Sequence, residues 1–519
     1  MARDSARQAV EVELKLEFDP ADAARIAAHP ALEASLGPAE DQHLVSTYFD
    51  TPDCALDSLG VYLRIRESRG RYVQTIKSAR SKTDLLERLE WERETPNSSL
   101  DLDGLEGSAL EPVLTPEIRS ALAPAFETRV TRHVCRVEQD GAEIEVAIDR
   151  GEIATRTHTR PISEVEFELK RGTKQALFRL ARVLAETVPL RLEVKTKSER
   201  GYELLQDRVY KAEKAAGVDI PPGMGTGEAF RAIAHSCLRQ IMANEPSMCA
   251  GRSDALHQMR IGLRRLRAAI AVFADVVDDG DLDQIKGELS WITKELGPAR
   301  DLDVFGADVL RPLQDKQPED RAIAASYREF EQRRIAAYAR AAAAARSLRF
   351  RAAVLDLAEW IETGPWATDD HKERRTLRTG PVADHAEKKL AKLRKRIKKK
   401  GADLRHRSMS QRHRLRIRAK RLRYATEFFA ATFPSEASAK RQAESLSALK
   451  DLQDALGGLN DLATRHLLVA DSLDSDPKTE AQFATAPGLA DAEAQTENLL
   501  RKAEQAFARF AETKPFWKS

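Results

Sequence analysis

The sequence predicts an α+β chain with two regions: an antiparallel, strand-rich N-terminal region followed by an all-α region built from a repeat. Three observations predict this. Over residues 1–200, charged and apolar residues alternate with period two, which is the pattern of half-buried strands. Beyond Glu228 the spacing becomes helical and the composition turns to Ala, Leu and Arg. Inside this helical region a pair of segments match, HQMRIGLRRLRAAIAVF at 257–273 and HRLRIRAKRLRYATEFF at 413–429.

Composition bounds the possibilities. The chain has 519 residues, 42% hydrophobic and 32% charged, enough for two or more domains with real cores. Its 84 basic and 82 acidic residues nearly cancel to a net +2, so the informative question is where each sign clusters. Cys54, Cys135, Cys237 and Cys249 form no C-x-x-C pair. That argues against a zinc ribbon or disulfide framework and fits a reducing compartment. The N-terminal MARDSARQAVEVELK lacks an apolar h-region, and no apolar run of about 18 residues occurs. A cytoplasmic location without a membrane partner is therefore expected.

The strand-like runs begin with VEVELKL at 10–16. They continue through VSTYFD, GVYLRIRE, RYVQTIKS, ERLEWERE, RHVCRVEQ, AEIEVAID and SEVEFELK to LRLEVKTK at 190–197. Asp19-Pro20 looks like an N-cap and first helical position. KQALFRLARVLAETV has helical spacing, and residues 199–215 read as one more helix. GVDIPPGMGTG at 217–227 is turn and linker chemistry. The expected division is thus 1–210, a linker at 211–227, and 228–519, with repeats at about 228–365 and 382–519. Residues 365–385 read as a loop between the repeats. ELGPARDLDVF (295–305) and ALGGLNDLATR (455–465) read as matching loop-like segments.

Alternation places Glu11, Glu13 and Lys15 on one face of the first strand, with Val10, Val12, Leu14 and Leu16 on the other. Arg64 with Arg66, Thr75 with Lys77, and Arg88 with Glu90 and Glu92 share faces in the same way. So do Glu143, Glu145 and Asp149; Glu164, Glu166, Glu168 and Lys170; and Lys195 with Lys197. An ordinary sheet with one wet face explains such alternation. Two features favour a site instead: charges of both signs recur strand after strand, and carboxylates come as E-x-E pairs. Same-face carboxylates two residues apart can share a hard divalent cation such as Mg²⁺ or Mn²⁺. A closed barrel with its charges inward would gather them in one tunnel, apolar faces outward under helices. No P-loop, G-x-G-x-x-G, H-E-x-x-H or G-x-S-x-G motif offers a competing chemistry.

In the helical region, His257, Arg260, Arg264 and Arg267 fall within roughly 80° of one another at about 100° per residue. His413, Arg416, Lys420 and Arg423 repeat that stripe at the same spacing. Charge runs are usually solvated helix faces. These stripes, however, contain no acid and occur twice, and like charges repel unless an anion compensates them. A polyanion contacted by guanidinium forks and ammonium groups would do so. No aromatic residues interleave with the stripes, which disfavours single-stranded nucleic acid. Duplex nucleic acid, bound through its phosphates, stays open.

EVELK (11–15), YFDTPD (48–53), LRIR (63–66), TIK (75–77), EIEVAID (143–149), EVEFEL (164–169) and KSERGY (197–202) resemble, in order, the motifs of the CYTH superfamily, the triphosphate tunnel metalloenzymes. The H-x-x-R-x-x-x-[RK]-R-L-R pattern, present twice, resembles the CHAD domain, a duplicated α-helical module. The pair together is similar to bacterial CYTH–CHAD inorganic triphosphatases. The resemblance implies an eight-stranded antiparallel β-barrel tunnel that hydrolyses tripolyphosphate with Mg²⁺ or Mn²⁺. It implies metal ligation by Glu11 and Glu13, with Glu166, Glu168 and Glu164 facing them. It further implies phosphate contacts from Lys15, Lys77, Arg64, Arg66, Arg132 and Lys197, with Arg88 beside them; Arg129 and Arg136 compete with Arg132 for its place. The general base would be a lumen carboxylate. For the helical region it implies inorganic polyphosphate binding through both basic stripes, with granule association as a corollary. Two alternatives remain: a non-catalytic polyphosphate-binding protein, and an enzyme of this fold acting on ATP or thiamine triphosphate.

Overall fold

The computed structural model describes residues 7–33, 40–78, 85–472 and 492–518. Its strands are β1 (Arg7–Glu17), β2 (Glu40–Asp50), β3 (Val61–Ser68), β4 (Arg71–Ser78), β5 (Glu87–Thr95), β6 (Ala123–Gln139), β7 (Ala142–Ala154), β8 (Thr159–Arg171) and the two-residue β9 (Arg191–Leu192). They run in the order β5-β4-β3-β2-β6-β7-β8-β1-β9, and β5 also pairs with β1. Strands β1 to β8 therefore close into an eight-stranded antiparallel barrel, as expected, and closure removes the free edges of the sheet. Two hairpins are set by their turns. Arg69-Gly70 and Asp140-Gly141 have positive φ at both residues, the conformation a tight two-residue β-hairpin needs.

Period two sorts the side chains. Leu14 and Leu16 lie outside the barrel wall and are buried, partly beneath α1 (Lys174–Ala185), whose Leu177, Phe178, Leu180 and Leu184 are fully buried. The expected outer layer is incomplete, because Val10 and its register partner Leu89 are 58% and 51% exposed. The inner face is not charged along its whole length. Leu44, Tyr48, Tyr62, Phe126, Ile153 and Ile162 fill one end of the lumen, together with Tyr202 and Leu204 of α2 (Lys197–Leu205).

That helix replaces the end of a predicted strand. Only Arg191–Leu192 of LRLEVKTK pairs as strand. Thr196 then closes a capping box with Glu199, each side chain bonding the other's backbone N–H, which satisfies the first orphan donors of a helix. The helix expected over 199–215 ends at Leu205.

The C-terminal helices are α3 (Thr226–Cys249), α4 (Ser253–Val272), α5 (Leu282–Glu295), α6 (Gly297–Phe305), α7 (Arg321–Arg346), α8 (Leu348–Thr363), α9 (Val382–Gly401), α10 (Met409–Phe428), α11 (Glu436–Ser472) and α12 (Ala492–Glu512), with shorter helices between some of them. Three loop expectations are corrected. Residues 297–305 are helical, with Pro298 tolerated in the first turn. Residues 455–465 lie inside α11 despite Gly457-Gly458. Packing overrides propensity there: a Cβ on Gly458 would sit 2.9 Å from Leu499. Residues 365–385 contain helices at Pro365–Thr368 and Lys372–Thr379 before α9 begins. Phe273 and Phe429, which end the two matching segments, pack together at 5.8 Å between ring centroids.

The chain divides into two compact units. One comprises Met1–Glu213 with Leu238–Ser247 and Ala345–Gly364; the other comprises Lys214–Cys237, Met248–Ala344 and Pro365–Ser519. Among the described residues, no helix is long and apolar enough to cross a membrane.

Candidate active site and anion grooves

The open end of the barrel lumen is a cavity of about 570 Å³. Strand alternation brings most of the predicted residues to its wall: Glu11, Glu13 and Lys15 from β1, Arg64 and Arg66 from β3, Lys77 from β4, Arg132 from β6, and Glu166 and Glu168 from β8. Lys197 joins them from the first turn of α2. The two E-x-E strands are neighbours: Glu13 pairs in register with Glu168, Lys15 with Glu166, and Glu17 with Glu164. Arg88 sits in β5 beside Glu11, and its side chain lies outside the described residues. Arg132 is the β6 arginine of the deep site. Arg136 lines the cavity too, and Arg129 is exposed, bonded to Glu127 and Glu152.

One acid organises the deep wall. Glu166 takes Lys15 Nζ at 2.8 Å, Lys197 Nζ at 2.9 Å and Arg132 Nη2 at 2.6 Å. Asp149 takes Lys197 Nζ at 2.6 Å and a two-pronged contact from Arg132 at 2.7 Å. Beneath the cavity, fully buried Glu164 is held by Lys197 and by Arg200, itself fully buried. Burial alone would raise the Glu166 and Asp149 carboxyls, but these cations hold both below the usual carboxylate range. Asp149 was visible in the sequence on the charged face it shares with Glu143 and Glu145 and within EIEVAID, but with no role assigned to it. Arg200 carried no signal beyond its motif.

A second group forms on β1, β3, β4 and β5. Lys77 Nζ lies 2.9 Å from Glu90 and 3.9 Å from Glu11, and Arg64 Nη2 lies 3.3 Å from Glu90. Tyr48 hydrogen-bonds Arg64. Burial, offset in part by Lys77, and a hydrogen bond with Glu90 push Glu11 up to about 8, so the two carboxyls share a proton near neutrality. Arg66 makes no ion pair among the described residues, and burial with Arg64 and Arg132 nearby lowers it to about 10.

The Glu11 shift gives a pH signature. Its proton is bound in the fold up to about pH 8, against 4.5 ordinarily. A raised carboxyl favours the fold fully below pH 4.5, and that contribution is lost as pH rises to about 8. In EDTA, Glu11→Gln is expected to gain melting temperature over the wild type progressively between about pH 5 and pH 8. Thermal melts with the same offset at both pH values would exclude a shared proton.

The acidic set can be tested for a cation. Asp149, Glu164 and Glu166 each offer an oxygen, all within 4.8 Å of one another. Three hard carboxylate donors at that spacing suit a metal cation, while each is also paired with a lysine or arginine of the same wall. Glu168 instead contacts Lys170 Nζ at 2.6 Å, and Glu13 lies 3.6 Å from Lys15.

In the helical unit the first basic stripe lies on α4 and the second on α10. Arg260 and Arg264 on α4 are half-buried and Arg267 is exposed; Arg416, Lys420 and Arg423 on α10 are half-buried and His413 is exposed. His257 differs from the expectation of a charged stripe. Burial and the positive charges of Arg300, Arg264 and Arg260 bring it down to about 4, so it is neutral near pH 7.

The CYTH domain family matches residues 9–202 and the CHAD domain family matches residues 232–470. A Haemophilus influenzae protein described as an inorganic triphosphatase is 34% identical over 202 residues, covering 37% of this chain and 54% of the relative. The chain thus spans about half the length of that curated relative. Among solved structures, the CHAD domain from the plant Ricinus communis aligns at 27% identity over 57% of this chain and 96% of its own, with a TM-score of 0.47. The inorganic triphosphatase NE1496 aligns at 19% identity over 32% of this chain and 77% of its own, with a TM-score of 0.16.

Proposed function

The chain is a CYTH–CHAD protein, a CYTH domain followed by a CHAD domain, and from that premise we propose that its barrel hydrolyses tripolyphosphate to pyrophosphate and phosphate while its helical region binds inorganic polyphosphate. The functional division falls at residues 211–227. The observation that carries the reading is the convergence of Lys15, Arg64, Arg66, Lys77, Arg132 and Lys197 on one carboxylate-rich cavity of about 570 Å³.

Phosphoryl transfer asks a protein mainly for positioning and for positive charge at the non-bridging oxygens. Lys15, Arg132 and Lys197 are already held rigidly by Glu166 and Asp149 on one wall. Arg64, Arg66 and Lys77 come from the facing group of strands, so a linear triphosphate would be gripped from both sides. Glu11, Glu13, Glu166 and Glu168 of the cavity wall would hold Mg²⁺ or Mn²⁺, with Asp149 beside them and Glu164 beneath. When bound, the metal would screen phosphate charge and make water a better nucleophile. A lumen carboxylate would accept the proton of the attacking water. Tyr48 is the one aromatic residue lining the cavity among the described residues, and it stacks on Phe126 at 4.5 Å, so no described ring is left to receive a nucleobase or a thiazolium.

The test is phosphate release from tripolyphosphate, ATP and thiamine triphosphate side by side, with Mg²⁺, Mn²⁺ or EDTA. Metal-dependent turnover strongest on tripolyphosphate is expected. Preference for an organic triphosphate would change the substrate, and no turnover with intact polyphosphate binding would leave the non-catalytic reading. Arg66→Ala is expected to raise KM for tripolyphosphate by about tenfold, the weight of one lost charge-assisted contact. Because Arg66 is stressed by its like-charged neighbours, the melting temperature should not fall. An unchanged KM would remove Arg66 from the substrate site.

A further inference from the structure

Lys197 reaches the cavity from the first turn of a helix, and part of what seats that helix comes from further along the chain. Residues Leu238–Ser247, in the second half of α3, belong to the compact unit that contains the barrel. In sequence they lie beyond the CYTH match, 9–202, and inside the CHAD match, 232–470. The barrel's unit is therefore built in part from residues past the 211–227 linker.

Arg239 makes three contacts there, all to the stretch of chain that carries Lys197. Its Nη1 donates to the Val194 carbonyl at 2.6 Å, its Nη2 to Glu199 Oε1 at 2.7 Å, and its Nε to Glu213 Oε1 at 3.1 Å. Glu199 is the acid of the α2 capping box. Its other oxygen, Oε2, accepts from the Thr196 N–H at 2.9 Å, and Thr196 Oγ1 accepts from the Glu199 N–H at 3.0 Å. One carboxylate thus gives one oxygen to the cap and the other to Arg239. The guanidinium grips the chain three residues before Lys197 and two residues after it. Its third partner is fixed in turn: Asn244 Oδ1 accepts from the Glu213 N–H at 2.9 Å, and Asn244 Nδ2 donates to the Glu213 carbonyl at 2.8 Å. The Arg239 and Glu199 side chains are 17% and 15% exposed, so solvent screens this charge-assisted pair only in part. A guanidinium spreads its donors over three nitrogens, here one to each acceptor, whereas an ammonium gathers them at a point.

We propose that Arg239 is a positioning residue for the reaction in the barrel: through Val194 and Glu199 it fixes the first turn of α2 and so sets Lys197 against Asp149 and Glu166, 2.6 and 2.9 Å away. This rests on the reading of the barrel as a triphosphatase in which Lys197 contacts phosphate. It adds that residues 1–210 lack a bracket the site depends on.

The experiment is steady-state kinetics of the full chain on tripolyphosphate with Mg²⁺ or Mn²⁺, each variant assayed below its own melting temperature. Arg239→Met, which keeps the apolar stem and removes the donors, should lower kcat/KM by about ten- to a hundredfold. Arg239→Lys should recover part of that loss, and Glu199→Gln, which weakens the next link, should reproduce part of it. The deciding measurement is a double-mutant cycle. If Arg239 works by placing Lys197, then Arg239→Met should cost less than about threefold more once Lys197→Ala has been made. A merely structural loss would multiply with Lys197→Ala instead. Should Arg239→Met not fold, Arg239→Lys and Glu199→Gln run the same cycle. Wild-type kcat/KM in the Arg239 variants, or losses that multiply fully with Lys197→Ala, would overturn the positioning role while the triphosphatase reading stood. Absence of tripolyphosphate turnover by the wild-type chain would overturn the underlying reading, and the positioning role with it.

Discussion

Glu166→Gln is expected to lower tripolyphosphate turnover by roughly 10²–10³-fold, the scale at which loss of preorganised electrostatics acts. The substitution keeps the side-chain shape and removes one negative charge. In the wild type that charge holds Lys15, Lys197 and Arg132 within 2.6–2.9 Å of one carboxylate. These three come from β1, from α2 and from β6, so Glu166 fixes the relative position of three separate elements. A glutamine amide offers one acceptor oxygen and turns an N–H donor toward groups that are themselves donors. Removing one partner from a buried ion cluster leaves uncompensated charge and costs about 3–5 kcal/mol. Asp149 and Glu164 remain to limit the damage. Turnover should be measured below the variant's own melting temperature, so that misplacement of cations is read separately from unfolding. A variant that melts early but turns over within about threefold of the wild type would show that Glu166 is structural only.

The stability component has a predictable sign with pH. Glu166 and Asp149 are held below the usual carboxylate range by their cations. Their stabilising contribution is complete above that range and is lost as pH falls through their folded values. The wild-type advantage over Glu166→Gln should therefore shrink on acidification.

Closure of the barrel and the inward turn of Glu11, Glu13, Lys15, Arg64, Arg66 and Lys77 were legible because a strand's period of two leaves only two faces. What lies at the inner end of the lumen was not. Leu44, Tyr48, Tyr62 and Phe126 alternate just as outward core residues do, and the sequence carries no mark of which apolar face turns inward. The E-x-E strands were legible as a pair. Their adjacency in register was not, since strand order depends on long-range pairing. Lys197 could have been placed better: Thr196 followed three residues later by Glu199 is a capping-box signal, outweighed by the alternation of LRLEVKTK. Gly457-Gly458 shows the reverse case. Two glycines read locally as a loop, whereas here they keep a helix close to Arg416 and Leu499. Arg300 was in plain view inside a segment that reads as a loop. Only the packing of α6 on α4 brings its charge to bear on His257.

Gly201→Leu carries the second large expected effect, because it separates the filled end of the lumen from the cavity. Gly201 lies in α2, where a Cβ would stand 2.1 Å from Cε2 of Phe126 and 2.3 Å from its Cζ. Phe126 has no room to retreat: it is stacked on Tyr48 at 4.5 Å and meets Tyr202 edge-on at 5.1 Å. Glycine within a helix costs about 1 kcal/mol relative to alanine, so its presence there reflects this close approach. A leucine must push α2 away from β6. Overpacking of a filled core costs about 1–3 kcal/mol, which lowers the melting temperature of a unit this size by roughly 2–12 °C. The same displacement carries Lys197, in the first turn of α2, off Asp149 and Glu166, now 2.6 and 2.9 Å away. Turnover should therefore fall in protein that is still folded, and the smaller Gly201→Ala should show the same two losses to a lesser degree. Phe126→Ala combined with Gly201→Leu should recover some of the melting temperature, since it removes the ring that the new side chain strikes. If Gly201→Leu melted and turned over like the wild type, α2 would not be seated on Phe126, and the position assigned to Lys197 would fall with it.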